Sequence, residues 1–201
     1  MSLVEGVVGS QSVNDGVQVK GRFDRDAGLL VSELRGRYTE LATRGKVFLA
    51  STQAGVALST LSTTATGFIL TNPVGSGKNL ALLYAMVTPT TAPAGVATVG
   101  LAYGPKSTTA VTQTTPLTVR SGLMEAYTGV GLAASAATLP VTPVMIGGLN
   151  GPVATGGIQG SPMVYDFGGL IVIPPGSNLS YSYLTTAISL LGGMVWAEHD
   201  A

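Results

Sequence analysis

The chain has 201 residues, with ten Lys or Arg against ten Asp or Glu, a single His and no Cys. That length suits one large domain, or a smaller domain with an arm, and buries a core without staples. The missing cysteines exclude disulfides and thiolate metal sites, while ten basic residues balanced by ten acidic ones leave no electrostatic footprint for nucleic acid.

Taken from the N-terminus, Met1 to Glu5 shows no basic region followed by an apolar run, so no signal peptide is expected. No apolar stretch approaches the ~20 residues of a membrane-spanning helix. Charge is scarce, at 10% of residues against about 25% in an average soluble domain, and it is unevenly placed. Residues 1–46 hold thirteen of the charges; the other 155 residues hold seven, namely Lys78, Lys106, Arg120, Glu125, Asp166, Glu198 and Asp200. Residues 1–46 are therefore expected to form a charged N-terminal arm, and residues 47–201 an all-β domain. The arm has too few large apolar residues to build a core alone. Its charges alternate in sign, which suits a solvated face or polar contact with a neighbouring subunit. Arg22, Asp24, Arg25, Asp26, Arg35, Arg37, Arg44 and Lys46 are the candidate inter-subunit contacts.

Beyond the arm, Gly, Thr, Val and Pro recur too often for long helices. Strands are expected at Lys46–Thr52, Gly55–Leu61, Thr66–Thr71, Asn79–Thr88, Val96–Tyr103, Thr115–Arg120 and Thr138–Ile146. They continue at Met163–Tyr165 with Gly169–Ile173, at Asn178–Thr185 and at Met194–Glu198. The turns between them are expected at Asn72–Gly77, read as a hairpin loop, at Gly104–Ser107 and at Pro174–Asn178. Leu179, Tyr181 and Tyr183 alternate with Ser180, Ser182 and Leu184, the mark of burial on one face. The nearly continuous apolar run Asn79–Val87 implies cover on both faces. Thr88–Gly95 and Leu132–Thr138 are low in complexity and read as loops. Many short strands at this spacing predict a sandwich, jelly-roll-like, with an extended N-terminal arm.

The motifs that could carry chemistry are incomplete. Gly75-Ser76-Gly77-Lys78 lacks the leading glycine of a phosphate-binding loop, since Asn72 stands there, and Asn79 follows the lysine in place of Ser or Thr. Asp166-Phe167-Gly168 spells a kinase metal-binding triplet without the rest of a kinase and reads as a strand bend with a glycine bulge. His199, the only histidine, lies beside the C-terminus with no nucleophile elbow to serve. Glu125, Asp166 and Glu198 are the carboxylates outside the arm from which a glycosidase pair would come, and nothing singles out two of them. Asn178-Leu179-Ser180 is a sequon, read as incidental. Tyr181, Tyr183 and Trp196 could stack on a sugar, but alternating strand aromatics more often fill a core. No catalytic, cofactor-binding or metal-ligating residue is assigned.

The stretch Thr64–Leu80, TATGFILTNPVGSGKNL, together with Gly168–Ser177, GGLIVIPPGS, and Gly193–Glu198, GMVWAE, resembles virion proteins of tailed bacteriophages. The resemblance spans roughly residues 38–199 and is to small jelly-roll or β-sandwich proteins of the capsid decoration, or cement, kind. It implies a non-enzymatic protein of the virion, on the capsid surface. Its expected partners are the major capsid protein and copies of itself, as a homotrimer or homodimer. Nucleic acid, membrane, cofactor and small-molecule substrate are not expected. Tail and neck proteins use similar sandwiches, so the alternative is a tail or neck virion protein, with a host-glycan-binding module among its forms.

Overall fold

The computed structural model describes residues 38–149 and 163–201. Among them the chain makes one short helix, α1 (Thr39–Thr43), and twelve strands. In chain order these are β1 (Val47–Ser51), β2 (Val56–Ala57), β3 (Thr64–Thr71), β4 (Lys78–Pro89), β5 (Val99–Gly104) and β6 (Thr112–Pro116). Then come β7 (Arg120–Ser121), β8 (Leu132–Thr138), β9 (Val144–Gly148), β10 (Met163–Ile173), β11 (Asn178–Tyr183) and β12 (Ser189–Asp200). The protein is all-β, built from two antiparallel sheets. One runs β10-β4-β12-β1-β7, with β2 added to β12; the other runs β6-β8-β3-β11-β5-β9.

Sequence explains the long strands directly. β4 and β12 are twelve residues each and pair along their whole length, from Lys78 opposite Asp200 to Pro89 opposite Leu190. Their inward residues, Leu80, Leu82, Ala85 and Val87 from β4 and Leu190, Met194 and Trp196 from β12, are buried. Leu179 and Tyr181 of β11, Phe68 and Leu70 of β3, and Val99 and Leu101 of β5 meet them from the other sheet. Each such side chain contributes about 1.5–3 kcal/mol when fully buried. Tyr181 also ties the layers together: its hydroxyl donates to the Gly193 carbonyl of the opposite sheet at 2.7 Å.

The strand expectations hold best where residues are large and apolar. Leu132–Thr138, expected as a loop, is β8, an interior strand between β6 and β3. Its Ala and Ser residues have weak strand preference, but their small side chains let Ala133, Ala134 and Ala137 be buried, the latter two beside Ile69 and Leu139. The strand expected over Thr138–Ile146 is in fact the end of β8, a turn and then β9. Thr115–Arg120 is divided between β6 and β7; between them Leu117 still donates its N–H to the Ala133 carbonyl at 2.8 Å, and Leu117 and Val119 pack on the core. The stretch Gly55–Leu61 yields only the two residues of β2.

Asn72–Gly77 is not a hairpin, since β3 and β4 belong to different sheets. It is a crossing between layers, and Pro174–Ser177 is a second one, from β10 to β11. Asn72, fully buried, locks the two together. Its amide nitrogen donates to the carbonyls of Lys78 at 2.7 Å and Ile173 at 2.8 Å, and its amide oxygen accepts from Ser76 Oγ at 2.6 Å. Its backbone exchanges hydrogen bonds with Ser177 and Gly176. Gly176 is obligatory there: its φ is +83°, and a Cβ would lie 2.4 Å from the Ser107 carbonyl oxygen. The bulge expected at Asp166–Gly169 is present. The β10–β4 register shifts between Asp166 and Ile171, Gly168 and Gly169 have φ of 57° and 87°, and Asp166 Oδ1 accepts from Gly168 N at 2.8 Å.

Candidate interaction surface

Of the charged residues expected at subunit contacts, Arg22, Asp24, Arg25, Asp26, Arg35 and Arg37 lie outside the described residues. Arg44 follows α1 and pairs with Glu40 one turn earlier, Nε to Oε1 at 2.9 Å. Lys46 is exposed just before β1, and its carbonyl accepts from Glu198 N at 2.9 Å.

The motifs set aside by sequence have structural explanations. Ser76 Oγ is committed to Asn72, and Lys78 forms an ion pair with Asp200, Nζ to Oδ1 at 2.5 Å. Asn178 of the sequon is buried on an interior strand, leaning over Gly104, where a Cβ would meet its amide at 2.2 Å. Tyr181 and Trp196 are fully buried, so neither can stack on a sugar arriving from solvent. The sequence suggested burial on one face of β11, yet Asn178, Ser180 and Ser182 on its other face are buried too. Among the described residues no group of three or more His, Cys, Asp or Glu could hold a metal ion, and no helix is long and apolar enough to cross a membrane.

Glu198 is the chemically distinctive residue. On β12 it is only 5% exposed, and three N–H groups point at its carboxylate. Val130 N reaches Oε2 at 2.8 Å, Gly131 N reaches Oε1 at 2.9 Å and Trp196 Nε1 reaches Oε1 at 3.2 Å. The Tyr127 hydroxyl lies 3.3 Å from Oε1, while its closer contact is to the Gly131 carbonyl. Burial, with the Glu198 charge beside it, pushes the Tyr127 phenol far above its ordinary range. Tyr127 in turn meets Phe48 edge to face, with centroids 5.1 Å apart. Room for this arrangement depends on glycine: a Cβ at Gly129 would lie 2.6 Å from Glu198 Oε1, and one at Gly131 would lie 2.9 Å from Trp196 Nε1. The carboxylate therefore acts as a clamp on the segment between β7 and β8.

Among the described residues, large apolar side chains are exposed at two sheet edges and one turn. Val164, Leu170 and Val172 on the edge strand β10, and Val144 and Ile146 on the edge strand β9, are exposed, Leu170 at 85%. The turn after β7 presents Leu123 and Met124. Clusters of exposed apolar side chains mark contact surfaces. Sequence had signalled this through low charge, but no residue-level signal pointed to Met124 or to the Glu198 clamp. No protein family matches this chain, and no curated protein or solved structure is significantly similar to it.

Proposed function

We propose that the chain is a jelly-roll structural protein of a tailed-phage virion, a decoration or cement protein that binds the outer capsid and bridges neighbouring subunits. The observation that carries this reading is the strand order. Eight strands form two four-stranded halves, β1-β12-β4-β10 and β3-β11-β5-β9. The chain crosses between them at β1–β3, β3–β4, β4–β5, β9–β10, β10–β11 and β11–β12. This order supports a jelly-roll reading, an architecture of capsid and lectin domains. Of the other four strands, β6, β7 and β8 lie between β5 and β9 in sequence and extend the far edges, and the two-residue β2, between β1 and β3, pairs with the start of β12.

Surface chemistry favours the capsid role over the lectin role. Burial of Tyr181 and Trp196 removes two of the three residues of the expected sugar platform. The exposed Val and Leu side chains on β9 and β10 suit broad contact with protein subunits. A bridging protein of this kind acts mechanically, adding interface across seams, and needs no catalytic group.

The test is attachment. Purified chain is mixed with heads of the phage that encodes it, stripped of accessory proteins, and sedimented; a parallel sample is applied to a glycan array. Saturable co-sedimentation, with heads then resisting heat or osmotic shock better, is the expected result. Glycan binding with no attachment to heads would overturn the reading in favour of the host-recognition alternative.

A further inference from the structure

The β7 side of the first sheet carries a knob and a hole on one stretch of surface. The knob is Leu123–Met124, which are 41% and 71% exposed. Met124 has a φ of +59° and is the only non-glycine residue among those described with positive φ. A side chain with a Cβ disfavours that conformation, so surrounding contacts must impose it. They do: Gly122 N donates to the Val47 carbonyl at 2.7 Å and Met124 N to the Ser121 carbonyl at 2.9 Å. Leu123 N donates to Ser121 Oγ at 3.2 Å. A few residues on, the Glu198 clamp fixes Val130 and Gly131. The two largest side chains of this turn thus project from a fixed base, in a backbone held off its preferred conformation. Strain kept at an exposed apolar tip is a mark of a functional contact.

The hole arises because β7 is short. It covers only Phe48 and Leu49 of β1. Past that point lies a cleft of about 350 Å³, lined by Leu49, Ala50, Ser51, Gln53, Thr118 and Arg120. A cavity of about 150 Å³ accepts a benzene ring, so there is room for a Met side chain and part of a Leu. Arg120 is the only charged residue in the wall. Its stem can line the cleft while the guanidinium stays in water. The unbranched thioether of Met adapts to irregular holes of this kind.

We infer that a second copy of this chain fills the cleft, with Met124 of each copy inserted into the cleft of the other. The knob is tied to β1 at Val47, and the cleft begins at Leu49 and extends past Ser51. At about 3.3 Å per residue this offset is on the order of 10 Å. The tether at Val47 keeps the knob out of its own chain's cleft. A two-fold axis passing near Leu49 brings each knob to the opposite hole, giving an isologous contact that closes as a dimer. The contact involves this chain alone and stands or falls separately from the capsid reading.

The experiment is sedimentation of the full chain across concentration, with two variants. Met124→Gly removes the knob and relieves the positive φ, so its unfolding midpoint should stay level or rise while self-association weakens at least about tenfold. Ser51→Trp fills the exposed rim of the hole and should weaken association equally. Each variant alone lacks one half of both contacts, but a mixture can form one complete contact, so mixing should partly restore the dimer. The inference is overturned if the unmodified chain is monomeric at about 100 μM. It is overturned equally if either variant associates as tightly as the unmodified chain, or if mixing restores nothing.

Discussion

Two buried polar side chains fasten connecting segments to this sandwich, and they use opposite chemistry. Asn72 is neutral and both donates and accepts, so it joins three segments of backbone, around Lys78, Ile173 and Gly176–Ser177. Glu198 is an acceptor only, and it gathers N–H donors from one segment, Val130–Gly131, and from Trp196. Asn72 thereby splices the two sheet crossings into one framework. Glu198 instead makes the position of a single excursion depend on one charge. The segment so held carries the apolar turn Leu123–Met124, and a presented side chain needs a base of that kind. Buried carboxylates persist only when their lone pairs are satisfied, so the glycines that admit the donors belong to the same device.

Removing the clamp should have the largest effect. Glu198→Ala leaves the Val130, Gly131 and Trp196 N–H groups without their acceptor, and should cost about 3 kcal/mol or more in urea denaturation. The loss should also be local, with faster amide hydrogen exchange at Val130 and Gly131 than at β4 or β12. Unchanged protection at those two amides would remove the contrast between a conditional loop and a framework splice. Asn72→Ala should come next, at about 2 kcal/mol. It should shift global stability without loosening Val130–Gly131. The two residues share no hydrogen-bond partner, so their costs should add within about 0.5 kcal/mol. A larger coupling energy would mean that the two fastenings act as one.

The framework is more legible in the sequence than the clamp, for a physical reason. β11 alternates, β3 and β4 are strongly apolar, β10 and β12 show apolar stretches at Gly169–Ile173 and Met194–Glu198, and Gly168-Gly169 and Pro174–Ser177 announce a bulge and a turn. β8 is written in Ala and Ser, whose place in a sheet is decided by the width of the gap they fill, which is a property of β3 and β6 beside them. Asn72 could be singled out as the residue that spoils a phosphate-loop pattern, but its partners at Ile173 and Gly176 are about a hundred residues away in sequence. Glu198 looked like any charged residue near a terminus. Its burial depends on Tyr127, Gly129 and Gly131 arriving from a connection that carried no strand signal. The hairpin reading of Asn72–Gly77 failed because turn chemistry reports a reversal of direction and not whether the chain changes sheet.

Tyr181 tests a tie between layers that is neither splice nor clamp. Tyr181→Phe keeps the ring and deletes the bond to the Gly193 carbonyl, for an expected loss of about 1–1.5 kcal/mol. Burial pushes the Tyr181 phenol far above its ordinary range, as it does that of Tyr127. A raised folded-state pKa contributes stability that is complete below the unfolded value of about 10 and is lost as pH rises beyond it, because the unfolded chain releases the proton first. Stability should therefore fall above pH ~10, less steeply in Tyr181→Phe. An identical slope in the variant would show that Tyr181 ionises in the folded protein.

The smallest effect is expected where β4 and β12 meet in solvent. The Asp200 carboxyl is held below its usual range, first by the hydrogen bond and charge of Lys78, then by Lys46 and His199. A depressed folded-state pKa contributes stability that is present above the unfolded value and is lost as pH falls through the folded one. Asp200 is exposed, so solvent and salt screen this contribution. Lys78→Met should lower the unfolding temperature near neutral pH by less than Tyr181→Phe does. The difference from the unmodified chain should vanish in about 1 M salt and in acid strong enough to protonate Asp200. If Lys78→Met instead costs as much as Asn72→Ala at every ionic strength, the Lys78 stem is serving as packing at the end of the ladder. The strand-end pair would then belong with the framework and not with the surface.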